Sequence, residues 1–141
     1  PHRRSAPHDQ TRAACAGAVA LIVASVGLAQ TCASIEGGTD ITGTTVSASF
    51  RPDPPRIVLS QHFSLEVSLC SNAGPATLVR VDATMPEHRH GMNYRPTLAR
   101  TAEDRYRAEG LLFHMPGRWQ FLFEVRVGET TERLTRSIVL D

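Results

Sequence analysis

Apolar and polar residues alternate along most of the chain after its first fifty positions, the period of a strand with one buried face. Phe63, Leu65, Val67 and Leu69 fall on one side, with Ser64, Glu66 and Ser68 on the other. Ser71-Asn72-Ala73-Gly74-Pro75 then reads as a turn. The next run sets Val79, Val81, Ala83 and Met85 against Arg80, Asp82 and Thr84, and Pro86 ends it. Tyr106, Ala108 and Gly110 suggest a further strand reaching Phe113, closed by a tight turn at Pro116-Gly117. The cleanest alternation is Trp119, Phe121, Phe123, Val125 and Val127. After Gly128-Glu129, a last strand carries Leu134, Ile138 and Leu140.

Upstream, Val46, Ala48 and Phe50 alternate, and Pro52, Pro54 and Pro55 then break regular structure. The Thr- and Ser-rich stretch before them suggests a flexible lead-in over residues 30–44. Glu87 to Thr101 reads as polar and irregular, with a short strand near Tyr94. No window beyond residue 29 has helical spacing. Six or seven short strands separated by turns predict an all-β, immunoglobulin-like β-sandwich of about seven strands over residues 45–141.

Residues 1–29 differ in kind. Arg3, Arg4 and Arg12 precede an uncharged run from Ala13 to Ala29 that ends in small residues. This is the three-part pattern of a secretory signal helix, cut after Ala29 or, as a second choice, after Ala33. The run is short for a span, which needs roughly 20 apolar residues. Left uncleaved, it would be an N-terminal membrane anchor. Either way the domain is expected outside the cytoplasm, periplasmic or otherwise exported. Cys32 raises lipidation, but Ala29-Gln30-Thr31 before it fits the small-residue pattern badly.

The formal charge of +1 is skewed by that leader. Beyond residue 29, 12 Arg face 13 acids, a net charge of −1. No basic block remains, which argues against nucleic acid or an anionic membrane surface as partner. With Cys15 in the leader, an oxidising compartment permits a disulfide between Cys32 and Cys70.

The informative chemistry is a mixed cluster. All three Met of the chain (Met85, Met92 and Met115) lie between positions 85 and 115, together with His88, His90 and His114. Thioether sulfur with imidazole nitrogen is a soft ligand set suited to Cu(I). Thioethers also serve where thiols are oxidised. In an extended segment residues two apart share a side, so His88, His90 and Met92 would face together, with Gly91 allowing a bend. His114 follows a strand expected near the one ending at Met85, so the two clusters would meet at one end of the sandwich. Against this, Met85 and Met115 could be core residues, and His88 and His90 could be solvated. His62 carries no assigned role. Cys70 has no neighbouring His in sequence, Glu103-Asp104 reads as a solvated turn, and no nucleotide or zinc fingerprint is present. No catalysis is expected.

The segments Met85-Pro86-Glu87-His88-Arg89-His90-Gly91-Met92, Arg105-Tyr106-Arg107-Ala108-Glu109-Gly110 and His114-Met115-Pro116-Gly117-Arg118-Trp119 resemble the YtkA-like domain. These small exported or membrane-anchored β-sandwich domains are similar to the FixH group linked to oxidase assembly. The first segment matches the family's MP-x-H-x-HGM pattern in full. The third matches at Met115, Gly117 and Trp119, whereas the second has Asp104-Arg105 where a Gly usually precedes Tyr106. The resemblance spans roughly Phe50 to Leu140. It implies copper handling, as a chaperone or accessory factor in respiratory oxidase assembly, with redox or membrane proteins as partners. The alternative is a metal-free module that docks such a protein.

Overall fold

The computed structural model describes residues 34–141. The leader and its cleavage points fall outside the described residues. Nine strands run in the order β1 (Thr39–Thr42), β2 (Val46–Asp53), β3 (His62–Ser71), β4 (Ala76–Met85), β5 (His90–Gly91), β6 (Thr97–Ala102), β7 (Arg105–Leu112), β8 (Gly117–Val127) and β9 (Thr130–Leu140). They form two antiparallel sheets, β1-β2-β3-β7-β6 and β5-β4-β8-β9. The described residues are all-β, and the two sheets face each other across one core.

The alternating runs supply that core. Phe63, Leu65, Val67 and Leu69 are buried from the first sheet, and Trp119, Phe121, Phe123 and Val125 from the second. Aromatic rings bridge the layers: Phe50 meets Phe121 at 5.3 Å and Phe123 at 5.1 Å, while Phe63 meets Phe121 at 6.4 Å. Such offset and edge-on pairs add directional attraction to the burial of their area.

Four expectations are corrected. The strands number nine among the described residues, not about seven. The supposed flexible lead-in contains β1, whose Thr39–Thr42 pair with Phe50–Ser47. Its turn is clasped by β9: Glu132 accepts hydrogen bonds from the Thr44 amide, from the Thr45 amide at 3.0 Å and from the Thr45 hydroxyl at 2.6 Å. A Cβ at position 43 would press on Glu132 Oε1 and stand 2.9 Å from the Val46 carbonyl oxygen, backbone that cannot yield as a side chain can, so the turn favours glycine there. The polar composition of 30–44 concealed a strand held by one carboxylate from the opposite sheet.

Val79 does not face the core. It is 40% exposed, because the β4–β8 register shifts between Leu78 and Arg80 and leaves Val79 as the extra residue of a bulge. Leu78 takes the buried place. The stretch from Glu87 to Thr101 is more regular than its polarity suggests, containing β5 and most of β6, with Tyr94 in a bend between them.

A second bulge sets up the site. β3 and β7 slip between Phe63/Leu111 and Leu65/Ala108, at Gly110 with φ 84°. The inward side of β7 therefore changes from Tyr106 and Ala108 to Leu111 and Phe113. Cys70 is disulfide-bonded, and its partner, which the sequence suggested as Cys32, lies outside the described residues.

Candidate metal centre

Antiparallel order collects four connections at one end of the sandwich: residues 54–61, 86–89, 92–96 and 113–116. Both His/Met clusters lie there. β4 and β5 form a hairpin in which Met85 pairs with His90 and Thr84 with Gly91. Met85 is fully buried, and its cross-strand partner His90 shares its face, so His90 is turned toward the interior. The Met92 amide donates to the Ala83 carbonyl at 3.3 Å, which continues the ladder and brings Met92 against the core.

The connection after β7 supplies the other half. Phe113 is buried and stacks on Trp119 at 4.3 Å, 18° from parallel. Trp119 donates its indole N–H to the Met115 carbonyl at 3.0 Å, which fixes the 115–119 turn. His114 comes directly after Phe113, and its ring lies 5.3 Å from that of His90. Trp119 stands edge-on to both, at 6.0 Å from His90 and 5.5 Å from His114. His88 completes a row, 5.8 Å from His90.

His88 departs from the expected geometry. Pro86 to Arg89 form a four-residue turn, not an extended segment, with Arg89 at φ 56° and the His88 amide donating to the Met85 carbonyl at 3.1 Å. His88 is exposed, His90 half-buried. The reversal of chain direction, not shared strand parity, brings their rings together. Gly91 is not a bend; it sits in the ladder, where a Cβ would approach the Ala83 carbonyl oxygen to 3.2 Å. His62 meets Tyr94 edge-on at 5.3 Å.

Protonation can be assigned in part. His90 Nδ1 lies 3.2 Å from the Gly91 carbonyl oxygen, which can only accept, so Nδ1 is the donor in this contact and Nε2 is the nitrogen left for a ligand. His114 Nδ1 is buried and has no hydrogen-bond partner. A buried polar atom left unpaired costs about 1–3 kcal/mol.

Two imidazoles bound to one ion at about 2 Å each place their ring centroids roughly 5–6 Å apart. The His88–His90 and His90–His114 spacings of 5.8 and 5.3 Å fall in that interval. Among the described residues no group of three His, Cys, Asp or Glu side chains is gathered to hold a metal. Trp119 borders the imidazole row, and the three methionines pack on the core at the same end. Met85 and Met92 line the β4–β5 hairpin, and Met115 is half-buried beside His114. Met85 reaches across to the start of β8, where a Cβ on Gly117 would stand 2.8 Å from its Cε.

Sequence reasoning did not anticipate the roles of Trp119 and Gly117 at this site. The spacing Met115-x-Gly117-x-Trp119 was the one signal for them, but only the folded turn shows the indole bonded to the backbone between His114 and Gly117. Compared with known protein families, curated proteins and solved structures, the chain finds no match.

Proposed function

We propose that this is an exported YtkA-like domain of immunoglobulin-like fold that carries Cu(I), as a chaperone or accessory factor in respiratory oxidase assembly. The observation that carries the reading is the unpartnered buried Nδ1 of His114, 5.3 Å ring-to-ring from a His90 whose Nε2 is free. A metal ion taken between these rings would satisfy the orphan nitrogen. The neighbouring donors of Met85, Met92 and Met115 are thioethers, which favour a soft monovalent ion over zinc or calcium. His88, in its exposed turn, would be the ligand most open to exchange. Copper is cargo here, and the protein contributes two half-buried imidazoles set against the edge of Trp119. No residue is assigned a catalytic role.

The test is titration of apo-protein with Cu(I) against a competing chelator. One ion should bind per chain. His90→Ala/His114→Ala should weaken binding by more than the roughly 10–100-fold typical of lost outer-shell partners. The chain has a single tryptophan, Trp119, edge-on to both rings, so its fluorescence should change in step with loading. Binding no tighter than that of the double variant would refute the reading.

The second reading, a metal-free docking module, draws support from one observation: no three His, Cys, Asp or Glu converge among the described residues. It predicts that wild-type and double-variant proteins behave alike toward Cu(I).

A further inference from the structure

The three imidazoles at the His/Met end form a row with His90 in the middle, 5.8 Å ring-to-ring from His88 and 5.3 Å from His114. Either spacing suits two nitrogens on one ion. His88 and His114 make no ring contact with each other, and no three His, Cys, Asp or Glu converge among the described residues. The row therefore provides two pairwise positions: an outer one between His88 and His90, and an inner one between His90 and His114.

The two positions compete for one nitrogen. His90 Nδ1 donates toward the Gly91 carbonyl oxygen at 3.2 Å, which leaves Nε2 alone for a ligand. An imidazole nitrogen has a single lone pair in the ring plane and binds a single ion. His90 can thus serve either position but not both at once.

The positions also differ in surroundings. His88 is exposed on the Pro86 to Arg89 turn, and Glu87 of that turn pairs with Arg118 of β8 at 2.8 Å, which ties the turn to the second sheet. His114 is half-buried, and its Nδ1 is buried without a partner. Coordination at the inner position relieves that unpaired nitrogen, whereas coordination at the outer position relieves nothing and stays open to solvent. The inner position is the tighter of the two, and the outer one the more accessible.

We propose that His88 and His90 form a separate, exposed entry position for Cu(I), from which the ion passes to the His90–His114 seat. His90 keeps its bond while His88 is exchanged for His114. One copper–nitrogen bond forms as another breaks, and the metal stays Cu(I). This two-position arrangement rests on the copper reading above and adds to it the route by which the ion arrives and leaves.

Stopped-flow exchange of Cu(I) between the full chain and a competing chelator, without oxygen, tests the route beside the equilibrium affinity. His88→Ala should slow loading and release alike, by roughly tenfold, so that the affinity moves by less than about threefold. His88→Met, which places another soft donor on the exposed turn, should restore the rate. His114→Ala should do the reverse: affinity falls by roughly tenfold or more, and release becomes faster because the exposed position alone remains. His62→Ala removes an exposed imidazole that meets Tyr94 outside the row, and should leave both quantities unchanged.

If the wild-type chain binds Cu(I) no more tightly than His90→Ala/His114→Ala, the copper reading falls and the entry position with it. Tight one-to-one binding in which His88→Ala loses as much affinity as His114→Ala would overturn the entry position alone, since His88 would then be a third ligand of one seat. So would an exchange rate that His88→Ala leaves unchanged, or that His62→Ala lowers equally.

Discussion

Replacing Gly117 with alanine should strain the candidate metal seat twice over. Gly117 has φ 123°, a conformation that L-residues rarely adopt, at a cost of about 1–3 kcal/mol. The added Cβ would also stand 2.8 Å from Cε of Met85, whose side chain is fully buried. Forcing one extra carbon into such a core costs about 1–3 kcal/mol more. The total expected for Gly117→Ala is about 2–6 kcal/mol, read from urea unfolding. Gly74 provides the control, with φ 105° and nothing within 4 Å of its absent Cβ, so Gly74→Ala should show the backbone cost alone. The difference between the two glycines isolates the contact with Met85. Met85→Ala leaves a cavity costing about 2–5 kcal/mol, but it also removes the clash, so Gly117→Ala/Met85→Ala should cost at least about 1 kcal/mol less than the two single changes together. Equal destabilisation by Gly74→Ala and Gly117→Ala, with additive behaviour in the double variant, would refute the claim that Met85 and Gly117 share one packed junction.

Other perturbations test the scaffold. Phe113→Ala should cost about 3–5 kcal/mol, because a fully buried ring stacked on Trp119 is lost, and it should weaken Cu(I) binding by loosening His114. Val79→Thr should change stability by less than about 0.5 kcal/mol, whereas Val81→Ala should cost about 2 kcal/mol, which checks the β4 bulge. The Glu132 carboxyl is held below its ordinary range, first by the Thr45 hydroxyl and then by the Thr44, Thr45 and Val46 backbone, against an opposing contribution from desolvation. A depressed folded value means that its stabilisation is present above the unfolded value and is lost as pH falls through the folded one, on the acid side of the ordinary carboxylate range. Glu132→Gln should therefore be less stable near neutrality and lose less on acidification. Stabilities of the two proteins that stay parallel between neutral and acidic pH would contradict the β9 clasp.

Much of the sandwich was legible because its long strands each bury one face. Phe63 to Leu69 and Trp119 to Val125 kept strict alternation, and the structure buries the apolar members of both runs. Legibility failed where a strand carries an extra residue. Val79 looked like a core position until the Leu78/Arg80 shift moved it out, and the Gly110 bulge exchanged the parity of β7. Strands with little apolar content, β1, β5 and β6, were also hidden, since their pairing depends on backbone bonds and on Glu132 rather than on a hydrophobic pattern. At the candidate site the residue types were readable, and the structure does bring His90 and His114 together from separate connections. The arrangement of His88 was not readable, because a four-residue turn around Arg89 replaces the extended segment that alternation implied.

X-ray absorption at the copper edge, on protein loaded with one equivalent of Cu(I), tests the soft-ligand seat most directly. The account predicts imidazole nitrogens at about 2 Å together with sulfur at about 2.3 Å, and loss of nitrogen scattering in the His90→Ala/His114→Ala protein. A shell of light atoms without sulfur, or a spectrum that the double substitution leaves unchanged, would contradict it.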